Sequence, residues 1–258
     1  MKYIVNTQNL FEAENVRDNL AKSRRNKKFK DSYSTMFVAE KDLNTPKFWN
    51  RINSIGHKDL VSSSIYKDKV KQILKMLKAG YGNLLDVGVG TGEVEKSLQN
   101  SKYNLFGIDI ASSTIKIISR KLIGTYKIGN ILKIPFNRES MDVILALDVL
   151  EHLPTNSTFR AYSEFSRVLK KNGKLIISVP LNEGLELMLE KGTNPNGHLR
   201  AYTSEILKYE LEMSGYKVLE EHFLYAFRKY YLLKKLILKL LPIQIRKPNL
   251  MILVAQKK

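Results

Sequence analysis

The run LLDVGVGTGE at residues 84–93 constrains this chain more than any other segment. Leu84, Leu85 and Val87 read as a buried strand, Gly88, Gly90 and Gly92 follow at once, and residues 93–100 read as a helix. A strand that passes through a glycine-rich turn into a helix lets main chain approach a bound ligand closely, because glycine accepts positive φ and carries no Cβ. The loop by itself leaves several nucleotide-binding classes open. A dinucleotide fingerprint needs a small residue at position 93, where Glu93 stands, and no Lys-Ser/Thr pair marks a phosphate-binding P-loop. Asp86, two residues before the first glycine, repels a pyrophosphate and suits a cationic ligand.

The flanking pattern is a regular alternation. Strands are expected at 84–87, 103–108, 125–128, 142–147 and 174–179, with helices at about 93–100, 112–122 and 156–170. Such alternation with short Gly/Asp/Asn turns implies βαβ units and a mainly parallel sheet with helices on both faces. Beyond Pro180, a polar loop holding Asn194 and His198 precedes a helix at 204–214, capped by Thr203 or Ser204 and closed by Gly215. A strand at 217–223, a basic helix at about 227–241 and a strand at 250–255 complete a seven-stranded set. Upstream, residues 10–30 read as a polar helix ending in a basic cluster, and 44–56 as irregular, with Pro46 and Gly56 as breakers. A helix at 65–79 places Ile65, Val70, Ile73, Leu74 and Leu77 largely on one face. The expected division is an N-terminal helical cap over 1–82 and a ligand-binding domain over 83–258, with 227–241 as a basic helical insertion.

Composition narrows the chemistry. The absence of cysteine excludes disulfides, cysteine-ligated zinc and thiolate nucleophiles, and no metal site is expected. No apolar run reaches the roughly 18–20 residues that span a bilayer, and the N-terminus lacks a signal-peptide h-region, so the expected location is cytoplasmic or membrane-peripheral. The net charge of +18 is uneven: residues 1–82 carry 17 Lys/Arg against 8 Asp/Glu, 83–180 carry 13 against 9, and 222–258 carry nine bases and no acid. Basic ends around a balanced core suit phosphates, anionic lipids or acidic partners, or are simply a solvated lysine-rich surface.

The run at 84–93 resembles the first motif of class I S-adenosylmethionine-dependent methyltransferases, in particular the broad family that includes the ubiquinone and menaquinone methyltransferases. Four further segments match in order and spacing. Gly107-Ile108-Asp109 ends the second strand with an acid 17 residues beyond Gly92, and GNILKIPF at 129–136 follows the third strand. DVILALDVLEHL at 142–153 and RVLKKNGKLIISVP at 167–180 resemble the family's fourth- and fifth-strand blocks. The resemblance covers 83–180 and implies a Rossmann-like seven-stranded fold, S-adenosyl-L-methionine as cofactor and S-adenosyl-L-homocysteine as product.

It also implies roles. Asp109 accepts from both ribose hydroxyls, since two carboxylate oxygens match a vicinal diol; the helix cap beside it falls to Ser112 or Ser113. Gly88, Gly90 and Gly92 pass beneath the methionine moiety, with Asp86 and the Leu147 carbonyl near its ammonium group. Ile110 packs on the adenine, and Asn130 and Ile131 lie at its edge; the family usually has Asp where Asn130 stands. Glu151 and His152 begin the next helix and shape the cofactor pocket, or else form an acid–base pair. His198, in GHLRAYT at 197–203, is the candidate catalytic residue, with His57 a second possibility and His222 structural.

Methyl transfer from a sulfonium is an in-line displacement, so alignment and exclusion of water dominate, and a base is needed only where the acceptor loses a proton. The Asn/Asp-Pro-Pro-aromatic motif of exocyclic-amine methylation is missing at 147–150, and cytosine C5 chemistry has no cysteine to use. The leading expectation is O-, N- or C-methylation of a small or lipid-like acceptor. An RNA-directed enzyme using the basic ends, and a non-catalytic cofactor-binding scaffold, are its rivals. In the helix at 227–241, Arg228, Lys235 and Lys239 share one side and Tyr230, Leu233, Ile237 and Leu240 the other. That helix either lies on an anionic membrane or packs its apolar side on the domain.

Overall fold

A computed structural model describes residues 42–55, 63–227, 230–241 and 247–258. The basic cluster at 22–30 and His57 lie outside the described residues. The chain order is α1 (Pro46–Ile55), α2 (Ser64–Leu77), β1 (Gly82–Val87), α3 (Glu93–Leu98), β2 (Tyr103–Asp109), α4 (Ser112–Lys121), β3 (Thr125–Ile128), β4 (Met141–Leu147), a 3-10 turn (Leu150–His152), α5 (Thr155–Val168), β5 (Leu169–Pro180), α6 (Leu185–Glu190), α7 (Ser204–Met213), β6 (Tyr216–Leu224), α8 (Tyr231–Leu240) and β7 (Leu250–Lys257).

The seven strands form one sheet in the order β3-β2-β1-β4-β5-β7-β6. Every pairing is parallel except those of β7, which runs antiparallel to both β5 and β6. The sheet is Rossmann-like: it starts at its centre with β1 and reverses direction between β1 and β4. That reversal opens a crevice at the carboxyl ends of the strands.

Side-chain alternation explains why the central strands are almost wholly apolar. Ile144 and Ala146 of β4 join Ile177 of β5 and Leu253 of β7 on one face, packed by α5 and α7. Val143 and Leu145 join Ile176, Ile252 and Val254 on the other, under Ile73 and Leu77 of α2. Each such residue taken from water contributes about 1.5–3 kcal/mol.

Two expectations fail here. Residues 46–55 are helical rather than irregular, because Pro46 sits at the first helical position, where its missing N–H costs nothing, and Thr45 Oγ1 accepts from Phe48 N–H at 3.2 Å. The apolar side of the basic helix does not pack on the domain: Tyr230, Leu233, Leu236, Ile237 and Leu240 are exposed. The helix is tethered instead through Tyr231, whose hydroxyl donates to Asp68 of α2 at 2.6 Å. Among the described residues no helix is long and apolar enough to cross a membrane.

Candidate active site

Every expected site residue in the described chain lies at the carboxyl edge of the sheet or in the loop just beyond it. The glycine-rich loop leaves β1 with Gly88, Gly90 and Gly92 all at positive φ (83°, 50° and 68°). Gly88 and Gly92 are glycine because the protein is close: an added Cβ would come within 2.8 Å of Val149 and 2.6 Å of Ile118. At Gly90 an added Cβ would meet nothing nearer than 3.7 Å, so this residue turns open space toward the crevice.

Asp109 ends β2 and organises the loop. Its carboxylate accepts from Gly90 N–H at 3.1 Å and Ala111 N–H at 2.8 Å. Burial pushes its carboxyl upward, and those two amides oppose the shift. The neighbouring β3 delivers Asn130 and Ile131 to the same edge, since Gly129 N–H donates to the Asp109 carbonyl at 3.0 Å. Asn130 Oδ1 already accepts from Leu132 N–H at 2.8 Å, and Ile131 is buried. Neither Ser112 nor Ser113 caps α4: Ala111 occupies that position, and Asn50 of α1 accepts from Ser113 N–H at 2.9 Å. A cap from another helix is a tertiary contact that a local sequence pattern does not reveal.

Asp86 is buried against the wholly buried Glu95 of α3. Burial raises Asp86 to about 6 and Glu95 well above its ordinary range, with the Asp86 charge adding to the second shift. Burial thus favours the protonated form of Glu95 beside Asp86. The sign follows from linkage: the folded state holds these protons more tightly than the unfolded chain, so their contribution falls as pH rises through the folded values. Glu95→Gln, which keeps the donor without a titrating proton, is expected to gain stability relative to the wild type between pH 5 and pH 8. The gain is at most about 1.4 kcal/mol per pH unit per proton, and a constant difference in melting temperature across that range would refute the raised carboxyls.

Sequence reasoning missed Asp148 and Lys69. Asp148 follows β4 at φ 54° and accepts from Lys69 of α2 and from Ser178 of β5. Burial acts to raise the Asp148 carboxyl, but Lys69 and the Ser178 hydroxyl outweigh it and its pKa is lowered. Burial likewise opposes the Lys69 ammonium, and Asp148 keeps it charged. Tyr66, one turn earlier, bonds Thr91 of the glycine loop at 3.0 Å. A buried lysine on an apolar helix face was the available signal.

Glu151 and His152 form a 3-10 turn ahead of α5 rather than its first turn, because Pro154 delays the helix to Thr155. His152 stacks edge-on against Trp49 of α1 and against His198, with ring centroids 4.8 and 4.7 Å away. Burial and the neighbouring His198 lower its pKa to about 3, so it is neutral. His198 Nδ1 lies 2.6 Å from Glu183, and its Nε2 faces Glu151 at 4.0 Å. Glu151, His152 and His198 bring possible ligating atoms within 4.8 Å of one another. The loop carrying His198 is pinned from behind by the buried Arg200, which donates to Glu210 at 2.9 Å and to the Leu150 carbonyl at 3.0 Å. His222 lies in β6 beside Glu220, away from this cluster. A cavity of about 880 Å³ between α2 and α3 is lined by Val70, Leu74 and Ser97, and by none of Asp109, Asp148 or His198.

The seven-stranded order β3-β2-β1-β4-β5-β7-β6 with β7 antiparallel, a glycine-rich loop after β1 and an acid ending β2 is the class I S-adenosylmethionine-dependent methyltransferase fold. Residues 85–177 match the family described as Methyltransferase domain. Residues 85–177 thus carry a methyltransferase domain on a class I fold. It is 28% identical over 114 residues to an uncharacterized methyltransferase of Anoxybacillus flavithermus, covering 43% of this chain and 53% of that one. It is 32% identical over 112 residues to "Probable tRNA methyltransferase 9B" of Homo sapiens, covering 43% of this chain and 24% of that one. The chain therefore spans about half of the first relative's length and a quarter of the second's. Among solved structures, the N-methyltransferase NodS of Bradyrhizobium japonicum WM9, in complex with S-adenosyl-l-homocysteine, superposes with a TM-score of 0.62 at 14% identity, covering 83% of this chain and 98% of that one.

Proposed function

We propose that the chain transfers the methyl group of S-adenosylmethionine to a small or lipid-like acceptor, seated between the glycine-rich loop and the loop carrying His198. The carrying observation is the convergence of Gly90, Asp109, Asp148 and His198 at the carboxyl ends of adjacent strands, with α1 and α2 laid over them. In this reading Asp109 takes the ribose hydroxyls, Ile110, Asn130 and Ile131 border the adenine, and Gly88, Gly90 and Gly92 run under the methionine. Asp86 and the Leu147 carbonyl face its ammonium end, and His152 closes the pocket. The acceptor's lone pair attacks the methyl carbon in line, the C–S bond breaks with its electrons staying on sulfur, and S-adenosylhomocysteine leaves. Because the carbon is already activated, positioning supplies most of the acceleration, up to about 7–11 kcal/mol. Trp49, Phe48 and Asn44 support the exclusion of water: Asn44 Nδ2 donates to the Gly197 carbonyl at 3.0 Å, holding α1 over the His198 loop. His198 serves the acceptor side.

The lipid-like class is favoured by α8. Its exposed Leu233, Leu236, Ile237 and Leu240 form one stripe, and 222–258 carry no acid. Such a surface suits peripheral contact with anionic lipid beside α2, and a location at the cytoplasmic membrane face fits it. A second reading, RNA as acceptor, is supported by the tRNA methyltransferase relative and the basic ends.

Calorimetric titration with S-adenosylmethionine, S-adenosylhomocysteine and NAD is the direct test. The first two are expected to bind and NAD not to; absence of binding by both would overturn the proposal. Binding without turnover on any acceptor would favour the scaffold. RNA affinity falling steeply between 50 and 200 mM salt, roughly 10-fold or more, would favour the second reading.

A further inference from the structure

Both imidazoles at the acceptor side are held through Nδ1. His152 Nδ1 lies 3.3 Å from the Gly197 carbonyl, and His198 Nδ1 lies 2.6 Å from Glu183. A carbonyl and a carboxylate only accept, so each Nδ1 carries a proton and each Nε2 is the ring atom left to ligate. Orienting partners of this kind are what metal-ligating histidines have. Opposite them stands Glu151, wholly buried, with neither carboxylate oxygen bonded to a donor among the described residues. Its Oε1 is 4.0 Å from His198 Nε2. That is too long for a hydrogen bond, yet two donors each about 2.1 Å from one ion stand roughly 3–4 Å apart.

We propose that Glu151, His152 and His198 bind one divalent first-row transition cation, with Gly197 and Glu183 fixing the two imidazoles. Two imidazoles and one carboxylate favour ions of the Mn²⁺ to Zn²⁺ series over Mg²⁺ or Ca²⁺, which prefer all-oxygen sites. The three ligands leave positions open on the side of the acceptor. The use of the ion, though not its binding, rests on the methyltransferase reading. An acceptor with neighbouring oxygens, such as a catechol or a vicinal diol, would chelate the ion, which would lower the hydroxyl pKa so that its proton passes to solvent water. The contact of His198 with the acceptor is then made through the ion.

The untagged full chain, stripped with a chelator and dialysed, is titrated with Mn²⁺, Zn²⁺ and Mg²⁺ by calorimetry. The expected result is one site per chain for Mn²⁺ and Zn²⁺, with Mg²⁺ at least 100-fold weaker. Glu151→Gln and His198→Ala should each weaken binding 100-fold or more, and Glu183→Gln about 10-fold. Circular dichroism checks that each variant folds. Independently of any variant, Co²⁺ added to the wild type should develop the visible bands of imidazole–carboxylate ligation. No saturable binding by the wild type, unchanged binding in the variants, or equal affinity for Mg²⁺ would each overturn the site. S-Adenosylhomocysteine titrated into the same stripped protein reports separately on the cofactor reading, so the two failures are distinguishable.

Discussion

Asp109→Ala is expected to lower affinity for S-adenosylmethionine about 100-fold or more while the domain stays folded. In the proposed complex the carboxylate accepts two ribose hydroxyls, and hydrogen bonds to a charged group contribute about 1.5–3 kcal/mol each. The same oxygens hold Gly90 and Ala111 at 3.1 and 2.8 Å, so the loop under the cofactor loosens as well. Asp109→Asn keeps the shape and one acceptor oxygen, and should lose less. Calorimetric titration with S-adenosylhomocysteine reads both variants against the wild type. An unchanged affinity for Asp109→Ala would end the ribose assignment.

The second large effect is on stability. Glu210→Ala is expected to destabilise the fold by about 3–5 kcal/mol, because it leaves the wholly buried Arg200 guanidinium without its carboxylate. Glu210 also accepts from the hydroxyls of Tyr162 and Tyr202, at 3.1 and 3.0 Å, so two further donors lose their partner. Arg200 reaches the Leu150 carbonyl, which ties the His198 loop to the turn carrying Glu151 and His152. Urea unfolding measures the loss. A joint replacement, Arg200→Met with Glu210→Leu, should recover much of it, since a well-packed apolar pair removes the desolvation cost of both charges. A loss below about 1 kcal/mol for Glu210→Ala would mean that Arg200 finds another partner or water.

Much of the architecture was legible because it is written in local signals. Strand positions follow from apolar runs bounded by Gly, Asp and Asn, and all seven expected strands fall within observed ones. The last helix before β6 is where Thr203 predicts it, with Oγ1 accepting from Ile206 N–H at 3.2 Å. The glycine loop and the acid at the end of β2 could be placed because both stand at fixed spacing from strands with strong periodicity. Helix α1 was misread because Pro46 is a breaker inside a helix and a good starter at its first turn, and only the cap geometry distinguishes the two.

The candidate site was less legible where it depends on pairs distant in sequence. Lys69 and Asp148 lie 79 residues apart, and nothing local marks either as the other's partner. The same holds for His198 and Glu183 across the loop after β5, and for Asn50 capping a helix that begins at Ser112. For α8, helical spacing placed Leu233, Ile237 and Leu240 on one apolar side, and all three are exposed. It could not say which side faces the domain, because that depends on the competing surface of α2.

The amino-acid order alone established the α/β alternation and the glycine-rich turn at 84–93, since periodicity and glycine act within a few residues of one another; the cofactor class followed from the resemblance to class I methyltransferases. Tertiary structure alone decided that Asp86 and Glu95 are buried together, that Lys69 stays charged against Asp148, and that Glu151, His152 and His198 converge. Electrostatic interaction depends on distance and burial, and neither is a property of spacing along the chain.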